Sequence, residues 1–217
     1  MSSMKHFTED IYLCPGNKED FDLIYSFYQK DFPAQEQKDR ATLLALLEKG
    51  VYKLLLLRPR LDPTILGYAF IYDLYPMQVL WLDYLAINPD FRSRGLGSYF
   101  LKSLLTRYNP QISGIFIEVE IPNHQDPAKV EVQKRRIRFY EKSRAKRIDA
   151  PYLFPSVHGA FPMYLYYISN LPLTTLSGSF VKQTLLSVFK NLHADLSDSN
   201  HILDLNLKAL PDPVLLN

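Results

Sequence analysis

INPDFRSRGLGSYFL, residues 87–101, joins an apolar run that ends at Ile87 to an amphipathic run that begins near Leu96. The pattern predicts a strand followed directly by a helix. The first backbone N–H groups of a helix have no partner within it, and the helix dipole adds positive charge there. A helix that begins in a glycine-rich turn is therefore a site where a phosphate group can bind.

The residues of this turn favour a diphosphate ligand. Gly95 and Gly97 would let the ligand approach the main chain, and Arg92 and Arg94 could neutralise it. Charge-assisted hydrogen bonds contribute roughly 1.5–3 kcal/mol each, so three or four would hold a pyrophosphate. A dinucleotide-binding fingerprint does not fit because Phe100 stands where a third glycine or alanine is needed, and the Gly-Lys-Ser/Thr of a P-loop is absent. A simple tight turn remains the alternative.

The segments on both sides of the turn predict a mixed α/β fold with helices inserted into a sheet. Before the turn we expect helices over 19–32 and 34–50 and strands over 51–58, 64–75 and 78–88. After the helix that follows the turn we expect a strand over 114–122, a charged helix over 131–144 and two tyrosine-rich strands that end near 169.

The strand predicted over 114–122 alternates in polarity, as a half-exposed strand does. Its apolar side carries isoleucine and valine, and the other side carries Phe116, Glu118 and Glu120. Two carboxylates therefore share one side of this strand.

Composition excludes a disordered chain. With 217 residues and 47% hydrophobic content, the chain can bury one large domain, or one domain with an appendage. The formal charge of +2 is too small for non-specific nucleic-acid binding, although KRRIR and RAKR could serve one polyanionic ligand. We expect no nucleic-acid partner.

The chain has one cysteine, Cys14, so no internal disulfide can form and a reducing compartment fits. Residues 1–13 lack the apolar region of a signal peptide, and no segment approaches the roughly 18–20 apolar residues of a membrane span. The histidines show no spacing with cysteine or carboxylates that indicates a metal site. We expect a soluble, cytoplasmic protein with no membrane partner and no metal.

LAINPDFRSRGLG, in which Arg92, Gly95 and Gly97 stand at the key positions, resembles the acyl-CoA signature of the GNAT superfamily of N-acetyltransferases. RRIRFYEKSRAKRID is similar to the family's second motif, in which Phe-Tyr closes a helix before a strand. The order of elements resembles the family over residues 10–170.

The resemblance implies a mostly antiparallel central sheet flanked by helices, with acetyl-CoA as co-substrate. The strand before the turn would splay from IFIEVE and leave backbone groups for the pantetheine arm, and the turn amides would bind the pyrophosphate. The coenzyme-binding residues expected from this resemblance are Leu85, Ala86, Ile87, Arg92, Arg94, Gly95, Leu96, Gly97 and Ser98.

Acetyl transfer requires a neutral amine and a protonated leaving thiolate. A lysine amine with a pKa of about 10.4 needs a base at neutral pH more than an α-amine with a pKa of about 8 does. The candidate bases are Glu118, Glu120 and Asp83, of which the resemblance favours Glu118. It also implies that Tyr140 gives a proton to the coenzyme sulfur. Structural carboxylates and a packing tyrosine are the alternatives.

Two positions depart from the family pattern. Gln133 stands where many members have asparagine, and Arg144 replaces a glycine that commonly takes the left-handed conformation at a helix end. That conformation costs a non-glycine residue on the order of 1 kcal/mol.

We predict a GNAT acetyltransferase domain over 1–170 and a C-terminal helix and arm over 171–217. An apolar stripe in the second segment could cover the sheet, form a homodimer or roof the acceptor site. The favoured function is transfer of an acetyl group from acetyl-CoA directly to a primary amine of a small molecule or peptide. The alternatives are a non-catalytic acyl-CoA-binding sensor or interaction module and, least favoured, a nucleic-acid-binding protein.

Overall fold

The computed structural model describes residues 10–75 and 77–217. The prediction that no signal peptide is present rests largely on residues outside these ranges. The chain forms two compact units, and strand β4 runs through both of them. The first unit contains residues up to Asp73 together with Leu82–Ile112, and the second contains Leu74–Trp81 and Ser113–Asn217.

The first unit contains strands in the order β1-β2-β3-β4, with β1 and β3 antiparallel to β2. Leucines of β2 are buried in succession because both faces of the strand are covered. The elements are β1 (Ile11–Pro15), α1 (Lys18–Asp31), a 3-10 turn (Ala34–Glu36), α2 (Arg40–Glu48), β2 (Tyr52–Pro59), β3 (Gly67–Leu74), β4 (Val79–Ile87), a second 3-10 turn (Pro89–Phe91) and α3 (Leu96–Ser103), which continues as a π-helical turn (Leu104–Tyr108).

Helix α2 is shorter than the sequence predicts. The expected helix over 34–50 divides into a 3-10 turn and α2, because Asp39 acts as N-cap and accepts a hydrogen bond from the Thr42 backbone N–H at 2.8 Å. The apolar spacing predicted a helix correctly, but the N-cap at Asp39 places its first residue at Arg40.

The second unit contains antiparallel strands in which β8 pairs with β5, β6 and β7. The register places Glu118 of β5 opposite Leu165 of β8. The elements are β5 (Gly114–Glu120), α4 (Pro127–Lys142), β6 (Lys146–Arg147), β7 (Tyr152–Ser156), β8 (Gly159–Ser169), β9 (Thr175–Leu176), α5 (Gly178–Leu192), α6 (Ser199–Lys208) and β10 (Val214–Leu215). The predicted fold class, a mostly antiparallel sheet flanked by helices, is confirmed.

The segment after residue 170 contains more regular structure than a helix and an arm. Helix α5 buries the predicted apolar stripe, and the tail folds into α6 and the short strand β10, which pairs with β9. Periodicity did not reveal α6, because its buried residues are Ser199, Ile202 and Asn206, only one of which is apolar. Within the described ranges, no helix combines the length and apolar character needed to cross a lipid bilayer.

Helix α4 ends in the left-handed conformation that the family's glycine suggested. Arg144 has φ +70°. Its N–H donates to the Glu141 carbonyl at 2.9 Å, and the Ala145 N–H donates to the Tyr140 carbonyl at 3.0 Å. These two bonds form a Schellman motif, so the helix ends in this motif although glycine is absent.

We predict that Arg144→Gly stabilises the protein. Arg144 is exposed, and glycine removes the Cβ strain at positive φ while increasing the entropy of the unfolded chain. The expected net gain is about 0.5–1 kcal/mol in the free energy of unfolding, measured by urea denaturation. Arg144→Ala, which keeps the Cβ, should give no gain, and an equal gain from both variants would contradict the explanation.

Candidate functional site

The turn between β4 and α3 contains two residues with positive φ. Ser93 and Gly95 take left-handed conformations, with φ +63° and φ +77°. Gly95 is the N-cap of α3, which begins at Leu96. No side chain caps the backbone N–H groups of the first helical turn. Left-handed residues near a helix N-terminus orient successive N–H groups toward one point, and positive φ at a serine is the kind of strain found at functional sites.

The two arginines of the turn have different surroundings. Nε of Arg92 donates to the Ile87 carbonyl at 2.8 Å, and Nη2 pairs with Asp31 of α1 at 2.7 Å. The Tyr68 hydroxyl donates to the same carboxylate at 2.9 Å. Arg94 is exposed and donates to the Asp90 carbonyl at 3.1 Å. Arg92 therefore ties the turn to β4 and α1, whereas Arg94 remains at the surface.

The end of β4 carries Leu85, Ala86 and Ile87, whose backbone groups are expected to contact the coenzyme. Along this end of the strand, residues alternate between half-buried and buried. Gly67 of β3 lies against them. A Cβ at Gly67 would stand 2.9 Å from the Ala86 carbonyl oxygen and 2.6 Å from Cδ1 of Ile87. The close approach of β3 to this end of β4 therefore requires glycine.

Asp83, one candidate base, points into the interior of the first unit. Its side chain is 3% exposed, lies 3.7 Å from Nζ of Lys38 and accepts a hydrogen bond from the Tyr52 hydroxyl. Burial raises the pKa of Asp83, and the charge of Lys38 opposes this rise. These surroundings are those of a buried structural ion pair.

Glu118, the favoured base, is half-buried on β5 and accepts hydrogen bonds at both oxygens. The Trp81 indole N–H donates to Oε2 at 3.2 Å, and the Tyr152 hydroxyl donates to Oε1 at 2.5 Å. Glu120, on the same side of β5, forms an ion pair with Arg136 of α4. The two carboxylates thus differ: Glu120 is paired with a cation, and Glu118 contacts aromatic hydrogen-bond donors.

Tyr140 lies in the last turn of α4 and is half-buried, with its ring 4.9 Å from that of Phe139. On the same helix Gln133 is 9% exposed, and its side-chain oxygen finds no hydrogen-bond partner among the described residues. A buried unsatisfied acceptor is uncommon and suggests a ligand or water contact. Among the residues described, no group of three or more histidine, cysteine, aspartate or glutamate side chains could hold a metal ion.

A family model described as the acetyltransferase (GNAT) family matches residues 21–144. This range is more than half of the chain and contains the turn, Glu118 and Tyr140. The chain belongs to the GNAT family. The resemblance drawn from the glycine-rich turn and the Phe-Tyr helix is therefore confirmed, and acetyl transfer is the activity of the family.

Solved GNAT structures share the fold. A GNAT-family protein from Bacteroides thetaiotaomicron superposes with a TM-score of 0.61 at 22% identity, covering 74% of this chain and 88% of that one. NAA60 of Arabidopsis thaliana in complex with acetyl-CoA gives a TM-score of 0.55 at 13% identity, covering 74% and 98%. An uncharacterised Dictyostelium discoideum protein is 26% identical over 106 residues, which are 49% of this chain and 24% of that protein's length. This chain thus matches about a quarter of that relative.

Sequence reasoning missed three residues around Glu118, the candidate base. Trp81 and Tyr152 are the donors to Glu118, and Asn206 of α6 bonds the backbone beside Tyr152. Trp81 stands in an apolar strand, where a packing role is the usual interpretation, and Tyr152 is one of 15 tyrosines. No local signal distinguishes them, because their partners lie 34 or more positions away in sequence.

Proposed function

We propose that the protein is an acetyl-CoA-dependent N-acetyltransferase that acts directly on a primary amine of a small molecule or peptide. The observation that carries this proposal is the turn with left-handed Ser93 and Gly95 at the head of α3, within a GNAT chain. Arg94 and the backbone from Gly95 to Ser98 would bind the pyrophosphate, and Arg92 would keep the turn in place. The backbone of Leu85, Ala86 and Ile87 would accept the pantetheine arm.

When bound, acetyl-CoA supplies an activated acetyl group as a thioester. Glu118 would take a proton from the attacking amine, directly or through a water molecule, as the N–C bond forms. Tyr140 would donate its phenolic proton to the sulfur as the C–S bond breaks. Asp83 is less suited to act as base, because its carboxylate is buried and paired with Lys38.

We further propose that residues 1–170 are the catalytic GNAT domain and 171–217 its C-terminal extension. The aromatic contacts of Phe180 with Phe116 and Tyr167 support packing of α5 on the strands of its own unit. A cytoplasmic location and a homodimer stay predictions.

The test is a coenzyme-release assay against a panel of polyamines, amino acids and peptide amines, run beside a direct measurement of acetyl-CoA binding. We expect turnover with at least one amine, and for Tyr140→Phe about 10²-fold slower turnover with acetyl-CoA binding retained. Tight coenzyme binding without turnover across the panel would favour the sensor. A Tyr140→Phe variant as active as the wild type would remove the assigned acid.

A further inference from the structure

The segment that carries Tyr152 is held on both flanks by the C-terminal residues. On one flank, Arg147 and Asn217 exchange two backbone hydrogen bonds of 2.9 Å, and the Asp149 N–H donates to the Leu215 carbonyl at 2.9 Å. On the other flank, Asn206 reaches the strand from α6. The C-terminal extension thus bonds the chain three and five residues before Tyr152 and one residue after it.

Asn206 makes two hydrogen bonds with a single backbone position. Its Oδ1 accepts from the Leu153 N–H at 2.8 Å, and its Nδ2 donates to the Leu153 carbonyl at 3.0 Å. The side-chain amide therefore pairs with the backbone as a neighbouring strand would. Asn206 is only 2% exposed, so either group left unpaired would carry the desolvation cost of a buried polar atom. This pairing fixes the position of the Leu153 backbone.

Tyr152 precedes this position on β7 and is 3% exposed. Because adjacent residues share a peptide plane, a fixed Leu153 backbone limits where the Tyr152 side chain can go. The Tyr152 hydroxyl is the donor at 2.5 Å from Oε1 of Glu118. A chain of contacts therefore runs from Asn206 through β7 to the candidate base.

We propose that Asn206 is a positioning residue that keeps the Tyr152 hydroxyl on Glu118, so that the C-terminal extension sets the protonation behaviour of the base. The role assigned to Glu118 rests on the proposed function; the contact chain itself does not. In this proposal Asn206 acts on Glu118 only through Tyr152.

Trp81 gives a readout that needs no acetyl transfer. It is the only tryptophan in the chain, and its indole N–H donates to the second oxygen of Glu118 at 3.2 Å. Protonation of the carboxylate changes this hydrogen bond, so Trp81 fluorescence followed against pH reports the titration midpoint of Glu118. Glu120 on the same side of β5 is paired with Arg136, and the variants below leave that ion pair in place.

The experiment compares the midpoint in the wild type, Tyr152→Phe, Asn206→Ala and the double variant. A hydrogen bond to the charged carboxylate lowers its pKa, so Tyr152→Phe should raise the midpoint by about one pH unit. Asn206→Ala should raise it in the same direction by a smaller amount. The double variant should match Tyr152→Phe alone, because Asn206 acts only through the hydroxyl. Glu118→Gln, which removes the titrating group, identifies the transition.

Ile202→Val is the matched control. Ile202 is buried on α6 one turn before Asn206, and its shortening to valine removes one buried methyl group without touching the two Leu153 bonds. Its midpoint should equal that of the wild type. An Asn206→Ala midpoint equal to the wild type would overturn the proposal, and so would a shift of equal size in Ile202→Val. Failure of every amine in the acetylation panel would contradict the enzyme assignment and leave this titration result unaffected.

Discussion

Glu118→Gln should lower the turnover of amine acetylation about 10²–10⁴-fold, the range that general-base catalysis contributes. Glutamine keeps the shape of the side chain and can still contact Trp81 and Tyr152, but it cannot accept the amine proton. Acetyl-CoA affinity should stay close to that of the wild type, because Glu118 is not among the residues assigned to the coenzyme. The measurement is the steady-state rate with the best amine of the panel, together with coenzyme titration.

Asp83→Asn is the matched carboxylate-to-amide change at the rival position. It leaves Lys38 buried without its partner charge, so we expect a loss of about 3 kcal/mol in the free energy of unfolding. Turnover per folded molecule should be retained. The reverse pattern, with activity lost in Asp83→Asn and kept in Glu118→Gln, would move the base to Asp83 and contradict the assignment made from β5.

The predictable parts of this fold have local signals. The alternation over β5 placed Glu118 and Glu120 on one side, and the glycines and arginines of residues 92–98 marked the strand-to-helix turn. The left-handed backbone at Arg144 was suggested by the resemblance to the GNAT family, in which a glycine commonly takes this conformation at the same helix end. Each of these features depends on residues within one or two turns of each other, so the sequence contains the required information.

The surroundings of Glu118, the proposed base, could not be predicted, because contacts between distant segments create them. Tyr152, which donates to Glu118, lies 34 positions after it, and Asn206, which bonds the Leu153 backbone, lies 53 positions after Leu153. Helices are recognised in a sequence by the periodic spacing of apolar residues, and the buried Asn206 interrupts that spacing on α6. The residue that bonds β7 is therefore also one reason why α6 was not predicted. The partner of Arg92 is equally distant, since Asp31 lies 61 positions away.

Gly95→Glu should weaken acetyl-CoA binding at least about 100-fold, because two or more charge-assisted hydrogen bonds would be lost at about 1.5–3 kcal/mol each. The new carboxylate would stand at the N-terminus of α3, where it repels the diphosphate and can itself accept hydrogen bonds from the helix amides. Isothermal titration with acetyl-CoA measures the loss.

Gly50→Glu separates this effect from backbone strain. Gly50 also has a positive φ, +68°, and a Cβ there would meet no atom within 4 Å. Both variants therefore place a glutamate in a left-handed conformation, with a similar cost to the free energy of unfolding of about 1–2 kcal/mol. Only Gly95→Glu should lose the coenzyme. Equal acetyl-CoA affinities in the two variants would show that the turn does not hold the pyrophosphate, and the enzyme proposal would lose the observation that carries it.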